Sequence, residues 1–415
     1  MTVSTNQNRK LRIGLYVAVP SGIENQRLRR GGYGALKSAI ARARDRAYWY
    51  ALRQPKVSFY HWNTLLGSNK GDAAIRETIK RSLQHTLAPW ELTFDELEWG
   101  TLSTQSPEEL NRRWDMLVIG GSGYIASNEK GELAKRMLDD LPILRDLTCL
   151  KILYGIGWNS LLTADGEVQP LSVQADKALG EILGTLDVLS VRDRASEALV
   201  RSHTRDEVYL TGDPALFYSA EEAYPPLLRV AGKVQIGLNF AVHGPNSARR
   251  FEAQFDRHCD LLRDIGRKFP VTFHYVQHSH TERFIPGLLR ARGIPVVAHD
   301  PAPGQLVPLY RQFDLHICEM MHSSILAINA GTPTISLAYD IKNIGFFELM
   351  GLEQFCHPVW KHDRGAILQS VTDAVQNAPQ IRQAIEKRKT ELRLVYEGFL
   401  NEIRSAASRS LNSAN

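Results

Sequence analysis

The sequence predicts an α/β protein built of two doubly wound parallel-sheet lobes that face each other across a cleft. Short apolar runs alternate with helical stretches along the chain, the pattern of a parallel sheet covered by helices on both faces. A composition break at Pro225 and Pro226 divides two such series and places a boundary near residues 220–232. Several strands also end on glycine or polar residues, at the edge where open α/β sheets collect ligands. With 415 residues, 43% hydrophobic and 23% charged, the chain can bury two ordinary cores and carries no mark of disorder or collagen.

The N-terminal unit, residues 1–225, opens with a strand over residues 11–19. A second strand covers 57–61. The segment Asn69-Lys70-Gly71-Asp72-Ala73-Ala74-Ile75 follows, with a helix running to about Leu87. Asn69 and Asp72 both suit a helix cap, and Asp72 stands just ahead of Ala73-Ala74-Ile75. Strands over 93–96, 116–119, 151–154 and 188–191 continue the series, the run at 116–119 ending in Gly120-Gly121-Ser122-Gly123. Without the complete spaced fingerprint these glycines do not imply a dinucleotide, and no cofactor is expected.

In the C-terminal unit, residues 226–415, strands over 234–240, 271–276 and 296–299 bring Asn239, His278, His280 and later His322 to one sheet edge. His278 and His280 lack a third ligand in sequence reach, so no metal is expected. Helices over 381–403 close the chain, with the last dozen residues as a polar, fraying tail.

Charge is local. Between Arg27 and Lys56 stand nine Lys/Arg and one acid, a net of +8, so the rest of this formally +5 chain is −3. A helix over about residues 35–52 carries Tyr48, Trp49 and Tyr50 among these arginines. Composition favours a solvated cationic helix with its aromatics folded inward; the other reading is a peripheral contact with anionic lipid headgroups. No recognition motif for nucleic acid accompanies the charge. Cys149, Cys259, Cys318 and Cys356 have neither metal nor disulfide spacing, which fits a reducing cytoplasm, and no apolar run reaches the length of a membrane span.

The densest chemistry lies between Asp314 and Leu352. A buried strand over 315–318 leads into a helix over 323–330 headed by His322 and stopped by Gly331; a strand over 334–339 then ends at Tyr339, Asp340 and Lys342. A helix N-terminus at a strand end offers free N–H groups to an anion, which makes Met321, His322 and Ser323 candidate donor contacts. His322 as a simple helix cap is the alternative. Arg192, after the apolar strand 188–191, is the cation expected to reach the crevice; a local ion pair with Asp193 is its alternative reading.

His322, Gly331, Pro333 and Lys342 stand as in the C-terminal signature of the polysaccharide pyruvyl transferase family, which this chain resembles. The stretches Asn69 to Ile75, DMLVIGGSGYI, LSVRDRAS around Arg192 and TGDPAL around Asp213 match in order, so the resemblance covers about residues 57–355. It implies a glycosyltransferase-B-like plan, with an acceptor side in the N-terminal lobe and a donor side in the C-terminal lobe. The implied reaction adds a pyruvate ketal from phosphoenolpyruvate to a saccharide acceptor, in polymer or lipid-linked form. His322 and Asp72 are then catalytic, Arg192, Lys342, Asn239, Met321 and Ser323 hold the donor, and Asn69 and Gly71 the acceptor. One position departs from the family pattern: an arginine usually stands two residues before the histidine, and this chain has Met320. Methionine cannot make the forked, charge-assisted bonds of guanidinium. Either another cation replaces it, or the donor differs, or the chemistry is lost. A nucleotide-sugar-dependent glycosyltransferase, hinted at by Asp340 and Glu348, and a non-catalytic saccharide-binding relative are therefore the competing readings.

Overall fold

The computed structural model describes residues 10–18, 69–160, 168–219, 222–241, 245–279, 282–361 and 363–413. The basic helix expected near residues 27–56, the strand expected over 57–61 and His280 lie outside the described residues.

The first sheet and its small annex are built from β1 (Lys10–Val17), β2 (Glu91–Glu98), β3 (Met116–Gly120), β4 (Ile125–Ser127), β5 (Leu150–Ile156), β6 (Trp158–Ser160), β7 (Val188–Val191) and β8 (Val208–Leu210). Six of them form an all-parallel sheet in the order β2-β1-β3-β5-β7-β8, and β4 pairs with β6 in a two-stranded parallel annex. The run Met116 to Ile119 is apolar throughout because both of its faces are covered: Met116 and Val118 enter one core, Leu117 and Ile119 the other.

The second sheet comprises β9 (Val234–Asn239), β10 (Val271–Val276), β11 (Val296–His299), β12 (Leu315–Cys318), β13 (Thr334–Ala338) and β14 (Cys356–Pro358). Its order is β11-β10-β9-β12-β13-β14, again all parallel. Counted within this lobe the order is 3-2-1-4-5-6, that of doubly wound nucleotide-binding sheets, with the reversal between β9 and β12. His322 lies just beyond the carboxyl end of β12.

The lobes are strapped together by the last helix, Ala378–Ser413. On the C-terminal lobe Arg382 donates to the Gly331 carbonyl at 2.9 Å and Lys389 to that of Asn329 at 2.7 Å, so cations satisfy carbonyls at the end of the His322 helix. On the N-terminal lobe Tyr396 meets the Tyr154 hydroxyl at 2.5 Å and donates to Ser82 at 2.9 Å. The expected fraying tail is corrected here: the helix runs on to Ser413 because Ala406 and Ala407 are buried.

Candidate active site

His322 is the second residue of the helix Met321–Asn329, whose first turn receives no side-chain cap from Met320. It is therefore not a capping histidine. It packs against the start of the helix Lys70–Thr86 of the other lobe, which is capped by Asn69. Asn69 Oδ1 accepts from the Gly71 N–H at 3.0 Å, and this fixes the amide so that Nδ2 faces His322 Nδ1 at 3.4 Å. With Nδ1 accepting, the proton of the neutral imidazole resides on Nε2. Gly71 is required by the same contact, since a Cβ there would stand 2.3 Å from the His322 ring. Gly71 thus allows the close approach of His322.

Asp72 does not cap the helix, as its sequence context allowed; it lies in the first turn, where Asn69 has taken the cap. Its Oδ1 is 4.0 Å from His322 Nδ1 and has no hydrogen-bond partner among the described residues. Burial pushes its pKa up to about 6, against a hydrogen bond from Ser122 and the charges of Arg192 and Lys342, while Asp213 adds to the rise. A carboxyl with an open oxygen and such a pKa is equipped to take a proton near neutrality.

Arg192 fulfils both of its sequence readings. It is 1% exposed, lies 3.5 Å from Asp193 and 3.4 Å from Asp213, and also lines the central cavity. Its Nη2 donates to Asn159 at 3.2 Å. Gly157 leaves the room it occupies, as a Cβ there would come 2.0 Å from Nε. Lys342 follows the capping Asp340 at the start of the helix Ile341–Met350, with Nζ 4.0 Å from Asp340 and 5.3 Å from the Tyr339 ring. Burial works against its charge, yet Tyr339 and Asp340 outweigh it and hold the pKa above the ordinary lysine value.

His322, Asn69, Arg192 and Lys342 converge on a cavity of about 730 Å³ between the lobes, while Gly71 and Asp72 lie behind its wall against His322. Its walls include Asn69, Arg192, Met320, Met321, His322, Tyr339, Asp340 and Lys342. Two expected donor contacts do not reach it. Ser323 is fully buried, bonded to Tyr310 at 2.7 Å and His316 at 2.8 Å. Asn239 is likewise buried, its Nδ2 donating to the Val276 carbonyl and to Glu282. His278 turns inward to Tyr310 at 2.6 Å. The strand ends were correctly placed, but a side chain at a strand end can point below the edge as well as over it. Glu348 is exposed and absent from the cavity wall, so it does not pair with Asp340 there.

Sequence reading missed the wall supplied by the annex and the helix that follows it: Ser127, Asn128, Glu132, Arg136, Asn159 and Ser160. Its two strands are three residues each, too short to show a period.

Two all-parallel lobes with a polar cavity between them place the chain in the glycosyltransferase-B-like class. Its fold is similar to UDP-GlcNAc 2-epimerase from Neisseria meningitidis bound to UDP-GlcNAc, with a TM-score of 0.50 at 11% identity, over 79% of this chain and 97% of that one. A Listeria monocytogenes structure described as a UDP-N-acetylglucosamine 2-epimerase gives a TM-score of 0.51 at 9% identity, over 91% and 90%. Within this class the family is set by sequence: the profile of the polysaccharide pyruvyl transferases matches residues 69–341, and the chain belongs to that family. It is a transferase. A stretch of 81 residues is also 27% identical to the amylovoran biosynthesis protein AmsJ of Erwinia amylovora; that stretch spans 20% of this chain and 20% of AmsJ. No helix among the described residues is long and apolar enough to cross a membrane.

Proposed function

We propose that the cavity transfers the enolpyruvyl carbons of phosphoenolpyruvate to a pair of hydroxyls on a saccharide, leaving a pyruvate ketal and inorganic phosphate. The observation that carries this reading is the meeting of His322 with Asn69 and Asp72 across the lobes, beside the buried Arg192 and the half-buried Lys342.

The chemistry divides among these groups as follows. His322 acts as the imidazolium, its Nδ1–H compensated by Asp72: its Nε2 proton goes to the donor methylene, which becomes a methyl group and leaves the adjacent carbon cationic, and the histidine stays behind as neutral imidazole. A saccharide hydroxyl attacks that carbon and its proton passes to Asp72. The carbon–oxygen bond to phosphate breaks and phosphate leaves with the proton held by Asp72; a second hydroxyl then closes the ketal and its proton returns to the neutral His322. Arg192 and Lys342 neutralise donor carboxylate and phosphate, supported by the open N–H groups at the start of the His322 helix. The N-terminal lobe then serves as the acceptor side and the C-terminal lobe supplies the donor contacts. The acceptor is a saccharide of a polysaccharide or of its lipid-linked precursor.

The reading is tested by titrating the protein with phosphoenolpyruvate beside a uridine-diphosphate sugar. Selective binding of phosphoenolpyruvate, weakened by Arg192→Ala, supports it. Binding of the nucleotide sugar alone would transfer the site to glycosyl transfer.

A further inference from the structure

Four basic side chains line the cavity: Lys135, Arg136, Arg192 and Lys342. Three have carboxylate partners. Arg192 lies between Asp193 and Asp213, Lys342 is 4.0 Å from Asp340, and Lys135 is 2.6 Å from Asp139. Arg136 makes no ion pair among the described residues. Neutral groups hold its guanidinium instead: Nη2 donates to the carbonyls of Gly123 at 3.1 Å and Tyr124 at 2.9 Å, and the group sits 5.3 Å from the Trp99 ring centroid and 5.9 Å from that of Tyr124. Its Nε is buried without a hydrogen-bond partner. Asp140, one turn further along the helix Lys135–Asp146, accepts the hydroxyls of Tyr16 and Tyr124 on Oδ2 at 2.8 and 2.9 Å and makes no ion pair with Arg136, which it reaches only through its charge. Burial lowers the pKa of Arg136 from the ordinary arginine value, with Tyr124, Tyr16 and the charge of Asp140 acting against it.

A cation partly desolvated on a cavity wall with no carboxylate in contact is costly unless a ligand brings an anion. We infer that Arg136 is an anion-binding residue of this cavity, receiving a phosphate or carboxylate group of the bound ligand. Its position relative to the other cations supports this. Gly123, whose carbonyl holds Arg136, packs against the Asn159 amide, which in turn accepts from Arg192. Two guanidiniums thus share one wall, separated by a glycine and an amide. One is already compensated by two carboxylates and the other is open. A ligand carrying two anionic groups would be gripped at both. The anion comes either from the donor or from an acidic saccharide, and the inference rests on the proposed reaction only where it names phosphoenolpyruvate.

The test is calorimetric titration of wild type, Arg136→Gln and Arg136→Lys with phosphoenolpyruvate, inorganic phosphate and glucuronate. Arg136→Gln should weaken the bound probe about tenfold or more, the loss of a charge-assisted hydrogen bond. Arg136→Lys should fall between, because an ammonium keeps the charge without the fork. A loss confined to phosphoenolpyruvate and phosphate assigns the anion to the donor; a loss confined to glucuronate assigns it to the acceptor. Unchanged affinities in Arg136→Gln overturn the inference. Should that variant not melt cooperatively, unchanged affinities in Arg136→Lys overturn it. Wild type that binds phosphoenolpyruvate regardless of residue 136 removes this inference and leaves the proposed donor standing. Phosphate or glucuronate binding that depends on Arg136, without phosphoenolpyruvate binding, does the reverse. Wild type that binds none of the three removes both.

Discussion

Asn69 donates its side-chain amide to His322 Nδ1 at 3.4 Å, so a helix cap in one lobe sets the tautomer of the histidine presented by the other. Asn69→Asp keeps an acceptor for the Gly71 N–H but presents His322 with a carboxylate. That change favours a proton on Nδ1 and raises the histidine pKa. The expected result is a fall in kcat of about tenfold or more with the apparent histidine pKa in the pH–rate profile moved upward, while the cap keeps the melting temperature close to wild type. An unshifted profile would show that Asn69 does not control His322.

Gly71→Ala places a Cβ 2.3 Å from the His322 ring, closer than atoms can approach. Because the obstructing atoms belong to a packed ring at a lobe contact, relief requires the ring or the helix to move. The variant should lose about 1–3 kcal/mol of stability and most of its activity together. Denaturant unfolding and a turnover assay on the same preparation check both.

Asp72, with its pKa pushed up to about 6 by burial, acts as a base only when ionised. Activity should therefore rise as the pH passes upward through about 6, until loss of the His322 proton turns it down on the basic side. Asp72→Asn should cut kcat by roughly a hundredfold or more and abolish that acidic limb, while leaving the donor Kd nearly unchanged. A retained limb at pH 6 would assign it to another group.

A buried chain in the C-terminal lobe predicts acid sensitivity. Tyr224 meets His299 Nδ1 at 2.9 Å, His299 Nε2 meets His274 Nδ1 at 2.9 Å, and His274 Nε2 meets Gln235 at 2.8 Å. Burial lowers both imidazoles to about 4, and for His274 the neighbouring His299 adds to it. The unfolded chain protonates them near the ordinary value of about 6.5, so it binds more protons between that pH and about 4. Their contribution to stability is whole above about 6.5 and is lost as the pH falls toward 4. Melting temperatures across that window should drop, and His299→Gln should flatten the decline.

Much of this was legible in the chain, and the gaps have physical causes. The strands over 188–191 and 315–318 show in sequence at their observed limits because every residue in them is buried and the runs are largely apolar. His322, Arg192, Lys342 and Asp340 were placed at the cavity by the rule that ligands gather at strand ends. The same rule misplaced Asn239 and Ser323, since one residue of rotation decides whether a side chain crosses the edge or enters the core. Arg136 was invisible. It sits in a helix whose alternation is ordinary, and its significance arises only from what its guanidinium lacks in three dimensions.

The central claim is that His322 protonates phosphoenolpyruvate held in this cleft, and the most direct test is phosphate release with a hydroxyl-bearing saccharide acceptor, measured beside donor binding in wild type and His322→Ala. Wild type should release phosphate only when the acceptor is present. In His322→Ala that rate should fall about a hundredfold or more while phosphoenolpyruvate still binds and the protein remains folded. Undiminished release by a folded His322→Ala protein would contradict it.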